Sequence, residues 1–460
     1  MCGICGELQF DGTLASGASV SAMTEKMAPR GPDASGLWSQ GRVAFGHRRL
    51  SIIDLSETGQ QPMVDPELGL AIVFNGCIYN YKRLRPELEA KGYRFFSTSD
   101  TEVILKAYHA WGRACVERFH GMFAFAIWER ASGDVVLARD RLGIKPLYLS
   151  ESGGRLRFAS SLPALLAAGD VDTEIDPVAL HHYMTFHAVV PPPRTILNGV
   201  RKLPPATVAR FSADGRREDW TYWRLNFAAD ERLGEEEHQE EVLAALRLAV
   251  ERRLVADVPV GVLLSGGLDS SLIVGLLARA GQSGLKTFSI GFEEAAGEKG
   301  DEFQYSDVIA QHFATEHHKI WVPSERLLDN LPGTIHAMSE PMVSYDNIGF
   351  YLLSQEVSKH VRVVQSGQGA DEVFAGYHWY PPLMDVAPDA GAAAYARVFF
   401  DRPHAEFQGA VHPRFHGADH SRAFAEAHFG LPGAERAVDR ALRMDSTVML
   451  VDDPVKRATT

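Results

Sequence analysis

Cys2 places a thiol at the second position of a chain that begins Met1-Cys2-Gly3-Ile4-Cys5-Gly6. Removal of Met1 leaves the thiol and a free α-amine on one residue. An α-amine with a reference pKa near ~8 can serve as a built-in base, so an N-terminal nucleophile needs no separate histidine. Without partners, such a cysteine is only a small buried hydrophobe. A second group of chemistry-bearing residues is Ser265-Gly266-Gly267-Leu268-Asp269-Ser270-Ser271, between an apolar run at 258–264 and a helical stretch at 271–279. Strand, glycine-rich turn and helix start together aim backbone N–H groups at one point, which makes an anion site. The glycines let backbone approach phosphate, the serines add hydroxyls, and Asp269 can hold Mg2+ against pyrophosphate oxygens.

These groups need elements to position them. From 1 to 205 the pattern is one of short β-like runs (70–74, 122–128, 134–138, 155–159) with helical stretches at 81–91 and 102–111, which predicts a layered α+β domain. An acidic segment at 230–241 opens an amphipathic helix ending near 255, so 206–240 reads as a linker. From 241 to 460, strand candidates at 258–264, 287–292, 319–322 and 362–365 alternate with helical sequence, and an alanine-rich tract at 391–395 reads as helix. That alternation predicts a doubly wound parallel α/β domain with ligands at the carboxyl ends of its strands.

At 460 residues the chain exceeds the size of one core, and its 45% apolar and 23% charged residues are those of a globular protein. A formal net charge of -13 disfavours nucleic acid and anionic membranes and favours small-molecule substrates. Four cysteines make neither a disulfide framework nor a paired zinc motif, so a reducing, cytoplasmic compartment is expected. No signal-peptide pattern opens the chain, and no run of about 18 apolar residues could span a bilayer.

Four further strings complete the first constellation: Arg30-Gly31-Pro32-Asp33, Gly46-His47-Arg48-Arg49-Leu50-Ser51-Ile52-Ile53-Asp54, Asn75-Gly76-Cys77-Ile78-Tyr79-Asn80 and Ser99-Asp100-Thr101-Glu102. With Cys2 they resemble the class II, Ntn-type glutaminase domain of the asparagine synthetase family over 1–205. The resemblance implies an αββα sandwich in which Cys2 attacks the glutamine amide and Asn75 with the Gly76 N–H forms the oxyanion hole. It implies that Arg49 pairs with the glutamine α-carboxylate and Asp100 with its α-ammonium, while Leu50, Ser51, Ile52 and Ile53 line the pocket. Cys77 stands where family members usually carry Glu, and reads as a neutral packing replacement. Cys5 and Cys115 read as core, and the string from Arg139 to Tyr148 as a structural hairpin without chemistry.

The 265–271 loop, with Phe288-Ser289-Ile290-Gly291-Phe292 and Ser366-Gly367-Gln368-Gly369-Ala370-Asp371-Glu372, resembles the ATP pyrophosphatases, with an adenine nucleotide α hydrolase-like fold. By that resemblance ATP meets Leu264, Ser265, Gly266, Gly267, Asp269, Ser270, Ile290, Ser366 and Gly367. Asp269 and Asp371 hold Mg2+, and Gln368, Glu372 and Lys456 face the acyl intermediate. Gln368 replaces a usual acid. With Cys77 and His378-Trp379-Tyr380-Pro381-Pro382 it makes the chain similar to the N-acetylglutaminylglutamine amidotransferase branch, which amidates a capped dipeptide made by a partner ligase. Family members continue beyond the lysine matched by Lys456, so the 241–460 domain reads as incomplete.

The resemblance therefore implies a glutamine-hydrolysing, AMP-forming carbon–nitrogen ligase that uses glutamine, ATP, Mg2+ and a carboxylate acceptor, with a homodimer as the expected assembly. Two alternatives are an asparagine synthetase acting on aspartate and a non-catalytic glutamine- or ATP-sensing protein. His317, His318 and the cluster His181, His182 and His187 read as structural, without ligand-like partners.

Overall fold

A computed structural model describes residues 1–227, 232–293, 300–344 and 346–453. They form two compact units: 1–227 with 377–453, and 232–376.

The first unit is built on two six-stranded antiparallel sheets. One runs in the order Arg201–Lys202, Tyr148–Ser152, Arg155–Ala159, Gly3–Gln9, Val43–Arg49, Ala34–Gln40; the other runs Arg217–Thr221, Thr207–Phe211, Val135–Arg139, Gly121–Glu129, Leu70–Ile78, Met63–Asp65. The strand Gly3–Gln9 is buried along its whole length because it is covered on both faces. Its alternation sends Ile4 and Leu8 into the core between the sheets, with Ala71, Val73 and Ala124 opposite, and sends Cys5 outward. There Cys5 packs with Val20 and Met23 of the helix Gly17–Lys26. The helices Tyr81–Glu89 and Asp100–Trp111 pack together, and the second lies on the strand Leu70–Ile78. The layers are thus αββα, the sandwich that the sequence resemblance implies.

Residues 377–453, which the sequence reading places with the second domain, supply a helical layer of this unit. Its helices include Gly391–Phe399, His404–Ala410, His420–Phe429 and Ala437–Met444. Tyr380 and Tyr395 both donate their hydroxyls to the buried Asp445 carboxylate. Phe186 meets Phe400 and Phe424, and the buried Lys202 amine pairs with Asp452 at 3.0 Å. These long-range contacts have no periodic trace in the sequence.

The second unit is α/β. Its parallel sheet runs Glu316–Val322, Lys286–Phe292, Val260–Leu263, Val363–Gln365, with the first strand in sequence third in the order. Separate apolar clusters form around it. One joins Val262 to Val250, Val274 and Leu277, and the other joins Phe288 to Leu353 and Val357. The helices are thus wound on both faces, as in a doubly wound domain. No helix among the described residues is long and apolar enough to cross a membrane.

Candidate active sites

Gly3 pairs with Arg48 across the sheet, so Cys2 and Arg49 lie side by side at one end of it. The Leu50 N–H donates to Cys2 Sγ at 3.4 Å, and the thiol reaches the Leu50 carbonyl at 3.6 Å. Burial raises the thiol pKa, opposed by the Leu50 hydrogen bond. Burial and then the Arg30 charge push the α-amine of Met1 down to about 5. The Met1 amine is therefore neutral at pH 7.

Arg49 is buried, and its guanidinium donates to the Ser56 carbonyl at 2.9 Å and to the Asp54 carbonyl. Two of its five donors are engaged, which fixes the plane of the fork and leaves N–H groups for a carboxylate. The loop carrying Leu50, Ser51, Ile52 and Ile53 is tied down by Ser51 N–H to Asp33 at 2.8 Å and by Asp54, which accepts from Ser56 and from Thr98 N–H.

Asn75 and Gly76 lie on the facing sheet, and His47 Nε2 bonds the Phe74 carbonyl at 3.2 Å, joining the sheets beside them. Asn75 is 1% exposed, and its Nδ2 has no hydrogen-bond partner among the described residues. A buried amide donor left unpaired is costly, so it marks a place where a ligand acceptor belongs. Gly76 must be glycine, because a Cβ would lie 2.2 Å from the Met122 carbonyl oxygen. Asp100 opens its helix behind the N-cap Ser99 and accepts the Ile78 N–H at 2.9 Å. Burial pushes its pKa up to about 7, opposed by backbone hydrogen bonds. Cys77 is buried, and its thiol is raised by burial and by the Asp100 charge.

Lys145 also belongs here. Its amine, 4% exposed, donates to Met1 Sδ at 2.8 Å, and burial followed by the Arg30 charge pushes its pKa down to about 8. Arg139 clamps its loop through the carbonyls of Lys145, Leu203 and Gly143, while Asp140 accepts the N–H groups of Phe123, Ile144 and Lys145. The sequence reading gave this loop no chemistry; its clamps are visible in the sequence only as an Arg-Asp pair before a Gly-Ile-Lys turn. Cys5 and Cys115 are fully buried, with thiol pKa values pushed up by burial, and all four cysteines are free.

In the second unit the Ser265–Ser271 string follows Val260–Leu263 and starts the helix Leu268–Arg279. Gly266 has a φ of +91°, and a Cβ there would lie 2.5 Å from Ser306 N, so only glycine fits. Ser265 Oγ lies 3.0 Å from Ser270 Oγ and accepts the Gly267 N–H at 3.3 Å, shaping a tight concave turn. Ser289 donates to the Leu264 carbonyl, holding the neighbouring strand, with Ile290, against the loop. Val363–Gln365 lies parallel beside Val260–Leu263, so Ser366, Gly367 and Gln368 emerge next to the loop at the strand carboxyl ends. A Cβ on Gly367 would come within 2.8 Å of Asp269 Cβ. Burial and then the Asp371 charge raise the pKa of Asp269, so the two acids act on one another electrostatically. Two acids beside an anion loop fit a hard divalent cation. Glu340 and Glu372 are each 4% exposed in this unit. Lys456 lies outside the described residues.

Residues 1–223 match the family described as glutamine amidotransferase domain, and 241–459 the family described as asparagine synthase. A putative glutamine-hydrolysing asparagine synthetase 2 from Methanocaldococcus jannaschii is 36% identical over 403 residues, covering 82% of this chain and 76% of its own length. The chain belongs to the glutamine-hydrolysing asparagine synthetase family. Bacillus subtilis asparagine synthetase (glutamine-hydrolysing) 3 is 35% identical over 401 residues, with coverage of 83% of this chain and 64% of the relative. For asparagine synthetase (glutamine-hydrolysing) 1 of the same organism the identity is 38% over 369 residues, with 80% and 57% covered. The chain thus spans about three-fifths of the length of these two Bacillus relatives.

The structure departs from further readings of this asparagine synthetase-family sequence: the segment 206–240, read as a linker, carries the strands Thr207–Phe211 and Arg217–Thr221 of the second antiparallel sheet, and the histidine cluster is not without partners. His181 does have ligand-like partners, because the fold brings His404 and Asp419 to it from more than two hundred residues away. His317 is held by Thr287 Oγ1 at 2.8 Å, and His318 stacks on Phe288, which is a structural setting.

Proposed function

We propose that the chain hydrolyses glutamine at Cys2 and passes the ammonia to a carboxylate activated by ATP. The observation that carries this reading is the unpartnered Asn75 Nδ2 in the unit that holds the Cys2 thiol on Leu50, with Gly76 beside it. A tetrahedral oxyanion would receive that donor and the Gly76 N–H, charge stabilisation that the planar amide does not receive to the same degree. The Cys2 thiol gives its proton to an N-terminal amine and its sulfur bonds the glutamine carbonyl carbon. Ammonia leaves with that proton, and water then releases glutamate from the thioester. Arg49 orients the α-carboxylate and Asp100 the α-ammonium of glutamine.

In the second unit the 265–271 loop would take the ATP phosphates, with Leu264, Ile290, Ser366 and Gly367 against adenosine. Asp269 and Asp371 would hold Mg2+, which would supply neutralisation of charge on a departing pyrophosphate. The acceptor carboxylate displaces pyrophosphate to give an acyl-adenylate, and ammonia displaces AMP from it to give the amide. Gln368, Glu372 and Lys456 are proposed to face that intermediate. The setting is cytoplasmic, and a homodimer is proposed.

For the acceptor we favour a capped dipeptide carboxylate, N-acetylglutaminylglutamine, supplied by a partner ligase. Gln368 is neutral where an acid would hold the ammonium of aspartate, and an N-acetylated substrate has no ammonium to hold. Aspartate is the second reading, favoured by the names of the relatives. Mismatched buried polar groups cost about 1–3 kcal/mol, or roughly tenfold to a hundredfold in selectivity. AMP formation with glutamine and ATP, compared between the two acceptors, tests this. Turnover of aspartate with none of the dipeptide would reject the preferred acceptor.

A further inference from the structure

We propose that His181, His404 and Asp419 form a binding site for a borderline divalent transition ion of the Zn2+ type, within the first unit and apart from the glutaminase residues. One ligand atom from each of the three lies within 4.8 Å of the others. His181 Nε2 stands 2.9 Å from His404 Nδ1 and 3.9 Å from Asp419 Oδ1. Ligand bonds of about 2.0–2.2 Å to a tetrahedral ion put neighbouring donors ~3.3–3.5 Å apart, so sub-ångström shifts of the three side chains suffice. Two imidazoles and one carboxylate are a donor set for Zn2+, Fe2+, Co2+ or Ni2+ rather than for Mg2+, which takes oxygen.

The three ligands come from separate elements, each with its own anchor. His181 sits in the helix Pro177–Thr185, whose start is fixed by Asp176 accepting the N–H groups of Val178 and Ala179. His404 begins the helix His404–Ala410, and Asp419 caps the helix His420–Phe429 by accepting the Arg422 N–H at 3.1 Å. The His181 ring is further held edge-on to Phe407, with ring centres 4.4 Å apart.

Behind His181 the hydrogen bonds accommodate either tautomer, including the one a metal ligand needs. Ser421 Oγ lies 2.7 Å from His181 Nδ1 and 3.1 Å from His182 Nδ1. A serine hydroxyl has one proton. When it donates to His182 Nδ1, it must accept from His181 Nδ1–H. That leaves the Nε2 lone pair of His181 facing His404 and Asp419, the arrangement in which an outer partner orients a metal-bound imidazole. The Ser421 N–H also approaches Nδ1 at 3.2 Å, favouring the other tautomer, in which Nε2–H donates to His404. The ion selects between the two. His420, with its ring 6.0 Å from His181, is the remaining nearby imidazole. His404 and Asp419 are only half-buried, so further coordination positions are open to water. Such an ion clamps the 377–453 helical layer to the helix Pro177–Thr185.

The test is titration of the full chain carrying Cys2→Ala, which removes the competing thiol, with Co2+ in excess Mg2+. One equivalent should bind with visible ligand-field absorption, and Zn2+ should displace it and raise Tm. His404→Ala should weaken binding at least tenfold and abolish the Tm shift, and Ser421→Ala should weaken it by about 10–100-fold through loss of the outer hydrogen bond. Asp419→Asn keeps the helix-capping acceptor while removing the charge, and serves where His404→Ala fails to fold. Absence of saturable Co2+ binding, or binding unchanged in His404→Ala and Asp419→Asn, would overturn the site and leave a hydrogen-bonded histidine cluster.

Discussion

Asp100 must be anionic to hold an ammonium, yet burial pushes its pKa up to about 7. A carboxyl that titrates near ~4 in the unfolded chain and near 7 in the fold binds its proton more tightly when folded. Its contribution to stability is therefore present at low pH and is lost as pH rises through that window. Asp100→Asn should raise stability above pH 7 relative to the parent, measured by denaturant midpoint, and change it little near pH 4. In the same window the ammonium partner is lost on acidification. Glutamine kcat/KM should fall below about pH 7 in the parent through KM, and Asp100→Asn should raise KM and flatten that limb. A parent profile without such a limb removes Asp100 from the glutamine site. Asn75 acts differently, since its Nδ2 has no hydrogen-bond partner among the described residues. Asn75→Ala should lower glutaminase kcat by about 10²–10³-fold with KM little changed, the signature of a donor used mainly in the transition state. An unchanged kcat would remove it from the oxyanion site.

The elements that carry these side chains leave little room for variation. Gly76 pairs with Phe123 across the ladder, and a Cβ would collide with the Met122 carbonyl, which is backbone and cannot rotate away. Gly76→Ala should destabilise the first unit by about 1–3 kcal/mol and lower glutaminase activity, because the Asn75 strand must shift to relieve the clash. A native denaturation midpoint would mean that the strand is looser than its packing indicates. This element scale is also where the sequence was most legible. The runs at 122–128 and 287–292 correspond to the strands Gly121–Glu129 and Lys286–Phe292, since alternation and apolar content report burial directly. The Ser-Gly-Gly-Leu-Asp-Ser-Ser string was legible because strand, turn and helix start are contiguous. The loop clamped by Arg139 and Asp140 was not, because its clamps reach Leu203 and Phe123, and neither did any local pattern link His181 to residues 404 and 419.

At the scale of the whole chain, the residues proposed for the two chemistries lie in separate compact units with separate apolar cores. Removing one reacting group should therefore leave the other half-reaction intact. Cys2→Ala deletes a thiol that meets the Leu50 backbone rather than the apolar core between the sheets, so the sandwich core is untouched. It should abolish glutamine hydrolysis and glutamine-dependent AMP formation while ammonium salts still support synthesis. Asp269→Asn is the converse. Asp269 carries a charge of the same sign as that of Asp371, and the amide relieves this repulsion while weakening the cation site. Acceptor-dependent pyrophosphate release should fall by at least tenfold, basal glutaminase should stay at the parent level, and the second unit should become slightly more stable. The paired result separates a two-site enzyme from a glutamine- or ATP-sensing protein, which binds both ligands and turns over neither. Measuring glutamate, pyrophosphate and AMP in parallel on the two variants decides the matter. Full glutaminase activity in Cys2→Ala would refute the nucleophile, and undiminished pyrophosphate release in Asp269→Asn would refute the loop assignment.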